Sequence, residues 1–146
     1  GETRSRGSNR ADSWGTVPIV RIANIGLEPG SATLDELLAD VTRGIYIEGH
    51  GSYSIDQRRY NFQFGGDAFW LIENGKRTHM VRDVVYHGIT PEFWGSCDGV
   101  ADRSHRRRYG FITCGKGQPA QSGWMTHAAS HARFRKVNVI GGQAGS

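Results

Sequence analysis

Proline, cysteine and methionine are all scarce in this chain. Four prolines, two cysteines and two methionines stand among 146 residues. The two cysteines, Cys97 and Cys114, are too few for a disulfide framework, so a reducing compartment is the expectation. No stretch approaches the ~18 apolar residues of a membrane-spanning helix. Gly1 to Arg10 is polar and basic and has no apolar signal-peptide core. An initiator Met is missing too, which makes a fragment or a processed chain the expectation. Apolar residues are few, at 37%, but 15 aromatics offset this because each buries a large area. A modest single-domain core is therefore within reach at this length.

Glycine is abundant, at 21 residues, which points to turns and close backbone approaches rather than long helices. Residues 1–16, polar and rich in Gly and Ser, read as a loop or mobile segment, and residues 17–146 as one domain. Val17–Leu27 reads as a strand region, followed by a turn at Glu28-Pro29-Gly30.

One helix is clearly written. Thr33 and Glu36 form a capping box, Leu34, Leu37, Leu38 and Val41 share one face, and Gly44 suits the C′ position, which predicts a helix near 33–43. Beyond it the apolar period changes to two. Gly44–Ile47 starts a strand that Gly49-His50-Gly51 interrupts. Tyr60, Phe62 and Phe64 alternate with polar residues, Ala68–Glu73 is a further run, Asn74-Gly75 a tight hairpin, and Lys76–Val85 the return. This reads as a meander. Thr90-Pro91-Glu92 predicts a short helix near 90–97. Tyr109–Cys114 and Arg133–Ile140 read as later strands, with a Gly-rich turn over Gly115–Gln118. The fold class expected is α+β, predominantly antiparallel, with a meander or barrel-like sheet.

Motifs of self-sufficient chemistry are also missing. None of the six histidines is followed by Glu, so no HExxH-type helix exists. There is no G-x-S-x-G elbow, P-loop or dinucleotide fingerprint. His127 and His131, four apart, would share one face if a helix formed there, but two ligands do not complete a zinc site. Cys114 stands at a strand-to-turn junction beside Lys116, where a reactive or metal-binding thiolate and a buried structural thiol are both open readings. Asn24, Asp56 and Gln118 could bind a peptide backbone or cap their own turns. The arginines at 103, 106, 107 and 108, with those at 4, 6 and 10, form basic patches, but aromatics do not interleave with them as a nucleic-acid stacking platform requires.

Several segments, in order, resemble the TldD/PmbA family, long called modulators of DNA gyrase. They are Gly7–Trp14, Pro18–Asn24, Leu27–Gly30, Arg43–Tyr46, Gly49–Gly51, Asn61–Phe64, Leu71–Lys76, Thr113–Pro119 and Val137–Val139. The resemblance implies the C-terminal domain of a cytoplasmic, zinc-dependent peptidase acting on extended or unfolded peptides. It implies a zinc site made by two histidines and a cysteine, with Cys114 matching the cysteine. The HExxxH helix and its glutamate are absent, so zinc would be completed from outside the chain. Catalytic residues are accordingly expected in none of these positions. Arg21, Asn24, His50, Asp56, Lys116, Gln118 and His131 are the candidate substrate-binding residues. Expected partners are a peptide, a TldE-like subunit or a second copy, and the N-terminal part of the same protein, with neither nucleic acid nor membrane. A non-catalytic binding or subunit-interaction module is the competing reading, and a nucleic-acid-binding domain the third.

Overall fold

A computed structural model describes residues 3, 8–116, 118–141 and 143–144. In chain order the strands and helices are β1 (Asn9–Arg10), β2 (Ile19–Val20), β3 (Ile25–Gly26), α1 (Leu34–Ala39), β4 (Arg43–Glu48), β5 (Tyr53–Ile55), β6 (Asn61–Phe64), β7 (Ala68–Glu73), β8 (Lys76–Arg82), β9 (Val85–Ile89), α2 (Thr90–Gly95), β10 (Cys97–Val100), β11 (Arg107–Lys116), β12 (Gln121–Ala129), β13 (Ala132–Phe134), β14 (Asn138–Ile140) and β15 (Gln143–Ala144). A 3-10 turn spans Arg103–His105. The architecture is α+β and dominated by antiparallel sheet.

The two larger sheets have strand orders β15-β8-β7-β4 and β14-β9-β6-β5. A third places β11 against β12, with β3 parallel on the outer side. The ribbons β1-β2 and β10-β13 complete the pairing.

α1 begins as its sequence dictates. The Thr33 hydroxyl accepts from the Glu36 N–H at 3.2 Å, and the Glu36 carboxylate accepts from the Thr33 N–H at 2.8 Å. These bonds satisfy donors that a helix start otherwise leaves unpaired. The helix is shorter than predicted, because Asp40 is its C-cap and Gly44 pairs with Ile72 inside β4. Leu37 is buried, and Leu34 and Leu38 pack on a core of Val41, Tyr46 and Ile72. The Asn74-Gly75 hairpin is as expected: both residues have positive φ, 48° and 79°, the geometry of a tight β-turn between β7 and β8.

The meander is corrected. β6 does not pair with β7 but lies between β5 and β9. At Gly65-Gly66 the chain changes sheets: the Gly65 N–H donates to Ser52 O and the Asp67 N–H to Glu48 O. The return strand is likewise broken, since Asp83 takes φ 58° and separates β8 from β9. Val17–Leu27 is only two short strands. The last strand is divided at Lys136, φ 54°, so that β13 pairs with β10 and β14 with β9. α2 ends at Gly95, before the predicted Cys97, which starts β10.

Aromatics fill the space between α2 and its sheet. Phe93 stacks on Phe134 at 4.0 Å between centroids and meets Phe62 edge-on at 4.9 Å. An ionic clamp ties α1 to the β10-β13 ribbon. Arg133 donates to Leu37 O and to Asp98, both at 2.7 Å, and Arg135 donates to Asp98 at 2.6 Å and to Asp40 at 2.7 Å. The hydrogen bonds from Arg133, then from Arg135, pull the Asp98 carboxyl down to about 2.

Candidate functional site

The β11-β12 ladder builds the site. Cys114 lies directly opposite Gly123, and a register shift between Phe111 and Cys114 precedes that pair. Directly opposed residues point to the same face of an antiparallel ladder, so Cys114 faces a position with no side chain of its own. β11 runs on to Lys116, two residues past its predicted end at Cys114.

The N-terminal ribbon closes over this face. Gln121 is buried; its Nε2 donates to Val17 O at 2.8 Å and its Oε1 accepts from the Asp12 N–H at 3.2 Å. Asn24 Oδ1 accepts from the Thr126 N–H at 2.8 Å, fixing the loop between β2 and β3. Two guanidinium groups are thereby held on the Cys114–Gly123 pair. Arg21 Nη2 lies 2.8 Å from the Cys114 sulfur and also donates to Gly115 O. Arg10 Nε donates to Ile22 O at 3.4 Å, and its guanidinium covers Gly123 so closely that a Cβ there would fall on it. Arg10 Nη2 and Arg21 Nε are buried and have no hydrogen-bond partner.

Arg21, Cys114 and Asn24 therefore share one neighbourhood, and the other candidates are dispersed. His50 sits in a turn whose N–H donates to Asp67 at 3.0 Å, its ring 5.6 Å from Tyr53 and 5.5 Å from Phe111. Asp56 accepts from the N–H groups of Tyr60 and Asn61 at 2.8 and 3.0 Å and from the Asn61 side chain at 2.8 Å. The Asn61 amide, then the Tyr60 N–H, hold its carboxyl below the usual range. Asp56 also borders a groove of about 800 Å³ with Gln63, His87 and Phe93. Gln118 is exposed at the hairpin tip, before the cis bond to Pro119. The backbone of Lys116 pairs with Gln121, but its side chain lies outside the described part.

His127 and His131, whose spacing would suit one face of a helix, do not lie on one. His127 is in β12, where two-residue alternation keeps Gly123, Met125 and His127 on one face, and His131 follows the strand. His127 stands four residues from Gly123, about 13 Å along the strand, too far for it and Cys114 to share an ion as placed. His131 packs instead against Tyr46 and His105, with centroids 5.8 and 5.4 Å away. Burial, then the charge of His105, lower its pKa below the usual histidine value.

Both cysteines are free. Cys114 is half-buried, a thiol suited to donate to a metal, and Arg21 gives its sulfur the N–H contact that ligating sulfur commonly receives. Among the described residues no three His, Cys, Asp or Glu side chains gather as a metal site. The donor chemistry thus fits one ligand of a metal and not a complete shell. Sequence reasoning missed Arg10 and Gln121, since Arg10 falls in a segment read as loop and nothing local marks Gln121 as buried.

Residues 2–141 match the family model described as the PmbA/TldA metallopeptidase C-terminal domain. A metalloprotease of Methanothermobacter thermautotrophicus is 33% identical over 133 residues, which cover 91% of this chain and 28% of that protein. A metalloprotease TldD homolog of Haemophilus influenzae is 32% identical over 78% of this chain and 25% of its own length. The crystal structure of TldE from Thermococcus kodakarensis shares the fold, with a TM-score of 0.65 at 18% identity, over 95% of this chain and 28% of that one. This chain therefore spans about a quarter of the length of these relatives. Its match along nearly all of its residues, together with the identity to the metalloprotease from Methanothermobacter, means that the chain belongs to the PmbA/TldD metallopeptidase family, as the C-terminal domain.

Proposed function

We propose that this domain serves a zinc-dependent peptidase, with Cys114 donating one thiolate and the remaining ligands coming from polypeptide outside the chain. The observation that carries this reading is the half-buried Cys114 sulfur on the β11-β12 ladder, contacted by Arg21 at 2.8 Å. Cysteine thiolate is a common zinc ligand, and a catalytic site needs two further protein ligands with one position left open. Bound zinc would supply Lewis acidity toward a scissile carbonyl. The chain's own residues position and shield: Gln121 anchors the ribbon, Arg21 orients the sulfur, and Asn24 holds the adjoining loop.

The substrate in this reading is an extended peptide. β5 ends its sheet, and all three of its residues are exposed, which leaves an edge on which a peptide backbone can add as a strand. Backbone pairing reads little sequence, in keeping with action on unfolded peptides. A TldE-like subunit is the proposed partner, and the cytoplasm the proposed compartment. No described helix is long and apolar enough to cross a membrane. Cobalt substitution tests the ligand set. The metallated parent enzyme carrying this domain should show sulfur-to-cobalt charge-transfer absorption that Cys114→Ser removes. An unchanged spectrum in the variant would refute the assignment.

A further inference from the structure

We infer that Arg10 and Arg21 form a receptor for a carboxylate, and that its ligand is the carboxylate of a bound peptide, by a reading that rests on the peptidase function proposed above. Both guanidinium groups lie on the Cys114–Gly123 pair, one on the sulfur and the other over the glycine. No carboxylate among the described residues is within ion-pair distance of either. By contrast Arg133 and Arg135 are each paired with Asp98 and Asp40.

The orphaned donors make the case. Arg21 uses Nη2 on the sulfur and on Gly115 O, and Arg10 uses Nε on Ile22 O. That leaves Arg21 Nε and Arg10 Nη2 out of reach of water and unbonded. A buried, unmade hydrogen bond on a charged group is costly, and two neighbouring cations add repulsion. One anion with two oxygens relieves both, because a guanidinium presents parallel N–H donors that match a planar carboxylate. Gly123, having no side chain, lets the Arg10 guanidinium lie directly on the strand beside Cys114. The site sits beside Cys114, so a peptide held by its carboxylate is fixed next to the proposed metal ligand. The substrate class is a peptide whose terminal or side-chain carboxylate lies close to the scissile bond.

The test is an NMR titration of this chain, following the Nε–Hε resonances of Arg10 and Arg21. The probes are N-acetyl trialanine with a free C-terminus and the same peptide as its C-terminal amide. The acid should shift both resonances saturably, with affinity at least about tenfold above that of the amide, as loss of a hydrogen-bonded charge contact requires. Arg10→Gln should reduce the acid to the amide's affinity. Arg21→Lys, which keeps the charge and loses the fork, should weaken the acid about tenfold with the fold intact by circular dichroism. Equal affinity for acid and amide, or no saturable shift with either, overturns the proposal. Metal content in the Cys114→Ser parent is a separate reading. Discrimination with metal unaffected by Cys114→Ser would refute the ligand assignment alone, and absent discrimination with metal lost would refute the receptor alone.

Discussion

Replacing Gly123 by alanine separates the stability of the fold from the geometry of the site. The nearest atoms to a new Cβ all belong to the Arg10 guanidinium, the far end of a flexible side chain. Among the described residues one long hydrogen bond, Arg10 Nε to Ile22 O at 3.4 Å, is given up when that group swings aside, a loss of about 0.5–1 kcal/mol. Alanine also reduces the freedom of the unfolded chain, which returns about 0.4–1 kcal/mol where the backbone is unstrained. The net change is within about 1 kcal/mol, or roughly 2–4 °C in Tm at this size. Gly141→Ala is the control. Gly141 has φ 85°, and its Cβ would fall on the Asp83 carbonyl oxygen, which is backbone and has no rotamer to escape into. Left-handed strain of about 1–2 kcal/mol plus that collision should cost more than about 2 kcal/mol. Thermal unfolding by circular dichroism measures both variants. A Gly123→Ala protein as destabilised as Gly141→Ala would refute the placement of Arg10 over Gly123.

Three further outcomes follow from the packing and the charges. Ile72→Ala removes a side chain that is 5% exposed in the α1 core and should cost about 2–5 kcal/mol by urea unfolding. His131 has a folded pKa below its unfolded value, so the unfolded chain binds the extra proton. Stability should therefore fall as pH drops below about 6.5 and level off below the folded pKa, and His131→Gln should flatten this slope. Asp98, with its folded pKa near 2, contributes stability that is present above about 4 and lost as pH falls toward 2. Its side chain is 37% exposed, so solvent screening limits the effect to about 1 kcal/mol, and Asp98→Asn should remove that acid dependence in pH-resolved unfolding curves.

Local features were the ones legible in the sequence. Thr33 with Glu36, and Asn74 with Gly75, state their structures within four residues, because a cap or a tight turn is satisfied by near neighbours. The partner of β6 was not legible, since alternation identifies a half-buried strand and says nothing of which strand lies beside it. His127 and His131 carry helical spacing that the long β11-β12 pairing overrides. At the candidate site Cys114 and Arg21 could be named, through family resemblance more than through local chemistry. Arg10 could not, because its role depends on a ribbon that folds across more than a hundred residues to reach Gly123.

The proposed function stands on Cys114 as a metal ligand in a site completed by the rest of the parent protein. Zinc measured by plasma mass spectrometry in the full-length parent, with and without Cys114→Ser, tests it most directly. Zinc should be retained through purification in the parent, with both zinc and peptide cleavage lost together in the variant. Full zinc and undiminished peptidase activity in Cys114→Ser would contradict it.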